Sequence, residues 1–255
     1  MRNDSVRIQL PPGASVSKHF DPEAFRNHVT VEAGALPAPP LSKTPGGWLG
    51  IPGLCYQPNF LCAEEEEDLI QCIDAGEWQC DLKRRVQHYG WKYDYEARKV
   101  GPTTRLGPLP DWATKIGQRL VDQRLLAQPP DQVIVNEYRE RQGISKHVDK
   151  TDSFEDGIAM ISLAESWQMV FRLGERKEVG TLEQRSVTVM TGDSRYKWTH
   201  EIPARKYEPG PPKRKRHRRI SLTFRKVAAQ GNGRDLDLRH RSDVARHRQS
   251  MRRSK

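Results

Sequence analysis

From Gln132 onward the chain is written in short runs of β-branched and aromatic residues, QVIVNEY, IAMISL, QMVFRL, RSVTVMT and TFRKV, each closed by turn-forming residues and with no helical periodicity between them. Many short strands in succession without helices argue for an all-β sandwich or barrel. Two helices are expected ahead of them. Residues 63–75 (AEEEEDLIQCIDA) place acids in the first turn, where the helix dipole favours them, and Leu69, Ile70 and Ile73 on one face. Residues 111–127 (DWATKIGQRLVDQRLLA) offer Asp111 as a cap and put Trp112, Ile116, Leu120 and Leu125 or Leu126 inward. Residues 76–110 read as turns and short strands, so the expected class is mainly β with flanking helices.

Hydrophobic residues make up 35% of the 255-residue chain, below the roughly 45–50% of a globular domain, so part of it is not expected to pack. The ends are the natural candidates. Residues 1–46 are rich in proline and glycine without sustained periodicity, and 228–255 form a basic tail; the domain is expected at 47–227. The net charge of +10 is unevenly placed: the run 213–219 (KRKRHRR) carries +6 and residues 226–255 another +6. A near-neutral body with basic segments suggests a polyanion partner, and the run also reads as a nuclear address or a phosphate contact. No stretch approaches the roughly 18 apolar residues of a membrane helix, and the N-terminal residues lack the apolar run of a secretory signal. Cys55, Cys62, Cys72 and Cys80 lack the short paired spacing of a zinc site. They read as reduced structural thiols, and the expectation is an intracellular monomer, cytoplasmic or nuclear, with no membrane contact.

The residues that carry chemistry lie in the strand-rich half. In extended chain, residues two apart face the same side, so His147 and Asp149 present an imidazole and a carboxylate to one point. Two histidines and a carboxylate are the facial ligand set of non-haem Fe(II) oxygenases, and they leave coordination positions open. His200, beyond the turn Gly192-Asp193, is the candidate third ligand; His88 and His217 compete for that place. In RISLTFR (219–225), Arg219, Ser221, Thr223 and Arg225 share one face of a strand and Ile220, Leu222 and Phe224 the other. Two inward guanidiniums are costly unless they meet anions, and a dicarboxylic acid would satisfy both. Asn136 and Tyr138 share a strand face by the same alternation and suit the rest of a carboxylate pocket.

Taken in order, NxY, HxD, GDxRxxWxH and RxxxTxR resemble the AlkB family of Fe(II)- and 2-oxoglutarate-dependent dioxygenases, over residues 50–227. Within it the chain is most similar to homologues whose oxygenase domain modifies tRNA. The resemblance implies a double-stranded β-helix (jelly-roll) core. It implies Fe(II) held by His147, Asp149 and His200, and 2-oxoglutarate held by Asn136, Tyr138, Arg219, Ser221 and Arg225. The implied reaction couples conversion of 2-oxoglutarate to succinate and CO₂ with hydroxylation of a C–H bond, which removes an N-methyl group or leaves a stable hydroxyl. The family often has asparagine at the place of Ser221, Pro-Gly after Tyr138 where this chain has RERQG, and in several bacterial members an acid at the place of Thr151.

Cations interleaved with aromatics at 83–95 suit a phosphate backbone and stacked bases, and family members carry a nucleotide-recognition lid in this region. Arg84, Arg85, His88, Tyr89 and Trp91 are therefore the expected substrate contacts. The same spacing also fits Tyr89, Trp91, Tyr93 and Tyr95 as alternating residues of a packed strand. The leading expectation is oxidation of a modified base in nucleic acid, RNA before DNA. A protein or small-molecule oxygenase with the same iron site and a non-catalytic RNA-binding protein are the alternatives.

Overall fold

The computed structural model describes residues 47–80, 82–97 and 100–229; the expected linker 1–46 and all but the first two residues of the basic tail 228–255 lie outside them. The first helix, α1 (Ala63–Ala75), starts at Cys62. The Cys62 thiol accepts from the Glu65 amide and the Glu65 carboxylate accepts from the Cys62 amide, a capping box with cysteine in the place of serine. Glu66, not Ile70, completes the buried face with Leu69 and Ile73. Its carboxylate is satisfied by the Ala164 amide (2.7 Å), Gln184 (2.8 Å) and Arg185 (2.9 Å), which fasten the helix to the strand connections.

The second helix, α2 (Asp111–Asp122), starts after Pro110 as cap and ends short of Ala127. Arg124 takes a left-handed φ of 58°, and the amides of Leu125 and Leu126 both turn back to the Leu120 carbonyl. Leu125 and Leu126 are nevertheless buried, so the apolar pattern marks the core while the backbone has left the helix. Arg119 of α2 pairs with Glu65 of α1.

The strands, in chain order, are β1 (Leu54–Gln57), β2 (Arg85–Tyr89), β3 (Gln132–Tyr138), β4 (Ile144–His147), β5 (Ile158–Leu163), β6 (Trp167–Leu173), β7 (Arg176–Leu182), β8 (Val187–Met190), β9 (Thr199–Ile202), β10 (Tyr207–Glu208), β11 (Arg214–Lys215) and β12 (Arg219–Arg225). A six-stranded sheet runs β1-β8-β5-β12-β3-β2 and a four-stranded sheet β4-β9-β6-β7. Every pairing is antiparallel, and β10 and β11 form a separate hairpin. Leu54, Met160 and Met190 of the larger sheet share one buried cluster with Trp167, Phe171 and Ile202 of the smaller, so the expected sandwich closes over a common core. β7 escapes the sequence reading because it is an edge strand, polar and mostly exposed.

β12 lies centrally in the larger sheet and all seven of its residues are buried. Its polar face looks into the sandwich. The opposite face of that sheet is covered by the helices: Gln87 donates to the Ile73 carbonyl (2.8 Å), and the Tyr89 ring meets Trp112 edge-on at 5.4 Å.

The basic run 213–219 is not a free cationic surface. Arg214 pairs with Glu165, and Arg218 pairs with Asp74 and with buried Glu137. Arg216 is 0% exposed; it donates to Glu208 (2.6 Å) and to the Pro203 carbonyl (2.7 Å) and lies 4.0 Å over the Trp167 ring. Four of the run's six cations, Arg214, Lys215, Arg216 and Arg218, are paired with this chain's own carboxylates.

Candidate active site

β4 and β9 bring the two histidines together. His147 stands opposite His200 in the antiparallel register, with ring centroids 4.3 Å apart. Asp149 follows His147 by two residues, and one ligand atom from each of the three lies within 4.8 Å of the others. Among the described residues this is the only cluster of histidine, cysteine or acid side chains with such spacing, and neither His88 nor His217 belongs to it.

The donor chemistry fits a divalent cation. His147 Nδ1 lies 2.8 Å from the Ser145 carbonyl, which can only accept, so Nδ1 carries the proton and Nε2 presents its lone pair. His200 is buried, Nδ1 has no partner among the described residues, and Nε2 lies 3.9 Å from Asp149 Oδ2, too far for a hydrogen bond. Burial, and then the neighbouring His147, pull the His200 pKa down to about 3, which leaves the ring neutral and able to ligate. Burial alone would raise Asp149, but Arg225, His200, His147 and Arg195 outweigh it and hold the carboxyl at about 2. Arg225 donates to Asp149 Oδ1 at 2.7 Å, so the two oxygens have different surroundings and Oδ2 is the one that faces His200.

Arg195, from α3 (Gly192–Tyr196), fixes this arrangement from behind. Its guanidinium donates to the carbonyls of Asp149 (2.7 Å), Lys150 (2.9 Å) and Phe154 (3.4 Å). The Gly192-Asp193 turn expected before His200 is thus a short helix that carries a clamp for the Asp149 loop.

Beside the triad lies a cavity of about 900 Å³, large for a small cosubstrate alone. Its lining includes Asn136, Tyr138, Arg219, Ser221, Thr223 and Arg225, the set that strand alternation assembles. Asn136 and Ser221 are register partners, as are Ser221 and Ser162. Arg219 is 1% exposed and donates to Ser162 (2.7 Å); it has no carboxylate within ion-pair distance among the described residues, and its Nε has no partner. Burial pushes its pKa down to about 10. A buried guanidinium without a counter-ion is the mark of a site completed by an anion.

The five expected substrate contacts divide. Arg84 lines the cavity. Arg85 lies on the opposite face of the sheet, paired with Glu137 (2.7 Å) and 4.4 Å over Trp78. Tyr89 is on that same outer face, and Trp91 lines a separate groove beside α2. His88 faces inward but behind Tyr95, whose ring lies 5.7 Å away. The wall is made instead by Tyr93 and Tyr95, with Lys83, Lys146 and Lys150 around it. β2 ends at Tyr89 and the chain turns at Gly90 (φ 76°), where a Cβ would meet the Asp131 carbonyl oxygen at 1.9 Å, so Trp91 does not continue the alternation of a packed strand. The turn demanded by Gly90 was the available signal.

The sequence profile of the 2OG-Fe(II) oxygenase superfamily matches residues 53–225. The chain belongs to this superfamily. Its relatives are AlkB-like. It is 36% identical over 208 residues to an alkylated DNA repair protein ALKBH8 homolog of Arabidopsis thaliana, covering 70% of this chain and 59% of that one. Over 202 residues it is 35% identical to the tRNA (carboxymethyluridine(34)-5-O)-methyltransferase ALKBH8 of Mus musculus, covering 69% of this chain and 30% of that one. It is 28% identical over 195 residues to a DNA N6-methyl adenine demethylase of Caenorhabditis elegans, covering 73% of this chain and 64% of that one. The chain thus spans well under two thirds of the first two relatives. The solved structure of OsALKBH1 superposes with a TM-score of 0.52 at 19% identity, covering 69% of this chain and 97% of that one. The fold is accordingly the double-stranded β-helix of 2-oxoglutarate oxygenases, and the chain is a dioxygenase dependent on Fe(II) and 2-oxoglutarate.

Proposed function

We propose that this oxygenase acts on a modified base in nucleic acid, RNA in preference to DNA. The observation that carries the reading is the charge of the cavity. Lys83, Arg84, Lys146, Lys150, Arg219 and Arg225 line it, against the single carboxylate of Asp149. Arg219 and Arg225 suit the two carboxylates of the cosubstrate, which leaves Lys83, Lys146 and Lys150 for phosphate. Tyr93 and Tyr95 add aromatic faces suited to a base withdrawn from its stack. Relatives whose names specify tRNA, DNA repair and DNA demethylation support the same class; the tRNA methyltransferase is 35% identical and the DNA N6-methyl adenine demethylase 28%.

His147, Asp149 and His200 would hold Fe(II); Asn136, Tyr138, Arg219, Ser221 and Arg225 would hold 2-oxoglutarate. Iron with 2-oxoglutarate supplies the oxidation of a C–H bond, with succinate and CO₂ as co-products. The chain's own part is positional. Ser145 sets the His147 tautomer, Arg195 fixes the backbone of Asp149, and Arg225 keeps that carboxyl ionised. Oxidation at an N-methyl carbon releases formaldehyde; at a carbon not bonded to nitrogen the hydroxyl stays.

The test is a mass-spectrometric comparison of nucleosides from total tRNA, treated with the protein plus Fe(II) and 2-oxoglutarate and with the protein lacking either. A nucleoside that loses 14 mass units or gains 16, on the order of one methylene or one oxygen, is expected. Steady succinate release with every nucleoside unchanged, in tRNA and DNA alike, would transfer the activity to a protein or small molecule.

A further inference from the structure

Arg84 lines the same cavity as the residues assigned to the cosubstrate. It directly precedes β2, and the same segment continues past Gly90 to Tyr93 and Tyr95. Its Nε donates to Asn136 Oδ1 at 2.7 Å, and its guanidinium lies 5.8 Å from the centroid of the Tyr138 ring, which Arg219 approaches to 5.7 Å. Sequence reasoning gave Arg84 to the substrate; its contacts in the structure are to the pair expected to hold the cosubstrate.

The two ends of an asparagine amide are nearly equal in size and opposite in function: Oδ1 only accepts and Nδ2 only donates. A carboxylate can be met only by the donor end. An unrestrained Asn136 could turn either end to the cavity, and half of that choice is unproductive. A guanidinium has no acceptor, so it can engage Oδ1 and never Nδ2. The contact with Arg84 therefore settles which end is held and which end is left to offer.

We propose that Arg84 is a positioning residue for the cosubstrate: by holding Asn136 Oδ1 it leaves the Nδ2 donor for the 2-oxoglutarate carboxylate. This rests on the assignment of Asn136 to the cosubstrate site. The competing account is that Arg84 merely adds positive charge that draws in a dianion.

The experiment titrates 2-oxoglutarate into the protein calorimetrically, with Mn(II) in place of Fe(II) and oxygen excluded, so that nothing turns over. Arg84→Met keeps the apolar stem and removes the donor; affinity should fall by about twofold, the loss of half the amide orientations, and by up to about tenfold where the bond to the carboxylate goes with it. In an Asn136→Ala background Arg84→Met should leave affinity unchanged, because the residue through which it acts is gone. Melting curves confirm that each variant is folded. If Arg84→Met costs as much without Asn136 as with it, the positioning role is overturned in favour of bulk charge. If Asn136→Ala alone leaves affinity unchanged, the error lies beneath, in the assignment of Asn136.

Discussion

Replacing Arg219 with methionine should make the protein more stable and nearly blind to 2-oxoglutarate. Arg219 is buried, and among the described residues the Ser162 hydroxyl is its hydrogen-bond partner, with the Tyr138 ring 5.7 Å from the guanidinium. Burial lowers its pKa from the ordinary arginine value to about 10, which corresponds to about 3 kcal/mol of cost to the charged form, at about 1.4 kcal/mol per tenfold change in proton affinity. The folded state holds this proton less tightly than the unfolded one, so the cost is borne in full at every pH below about 10 and relieved only as pH rises above it. Methionine removes it but strands Ser162, which costs about 1 kcal/mol, leaving a net gain of roughly 2 kcal/mol and about 4–8 °C in Tm for a domain of this size. Loss of one buried bidentate charge pair should weaken 2-oxoglutarate by about 2–5 kcal/mol, on the order of 30- to several-thousand-fold. Scanning calorimetry without cosubstrate and titration with it read the two effects separately. A variant that is less stable and binds 2-oxoglutarate as the parent does would refute the reasoning, since Arg219 would then be a structural residue with its charge satisfied.

Four further outcomes are expected. Ala at His147, Asp149 or His200 should abolish Mn(II) binding measured by calorimetry, whereas His88→Ala should leave it within about twofold, because His88 lies outside the cluster. The metal-free protein should lose stability as pH falls from about 6.5 towards 3, where the unfolded chain protonates a histidine that the fold keeps neutral; His200→Asn should flatten that part of the Tm–pH curve. Arg216→Ala should cost about 2–4 kcal/mol in urea unfolding, because Glu208 is left with Arg205 alone and the Pro203 carbonyl loses its donor, while exposed Lys213→Ala should stay within about 0.5 kcal/mol. Lys83→Ala and Lys146→Ala should each lower the salt slope of RNA binding by roughly 0.7, and removal of residues 230–255 should leave turnover at saturating substrate intact.

What the sequence made legible was whatever depends on parity within one strand. Arg219, Ser221, Thr223 and Arg225 share a face because extended chain alternates, and no tertiary knowledge is needed to see it. The interleaving of cations with aromatics at 83–95 misplaced Tyr89 and Trp91, because composition shows neither that Tyr89 lies on the outer face of β2 nor that the chain turns at Gly90. The basic run misled for a different reason. Its partners Asp74, Glu137 and Glu165 are 49–144 residues away in sequence, and net charge gives no sign of which arginines they claim. Arg195 was visible only as a letter in a motif, since its acceptors are backbone carbonyls, which every residue has.

The Arg195 clamp makes the two halves of the metal site open together. It grips the loop that carries Asp149, and it sits on the helix that leads directly into the strand of His200, itself paired across to His147. Neither ligand segment can fray alone without tearing contacts made by the other. In native-state hydrogen exchange, amides of residues 147–154 and 194–200 should therefore behave as one cooperative unit, with a shared opening free energy. Escape of the metal then becomes an unfolding event, timed by how often that unit comes apart and not by how strongly any single side chain holds on.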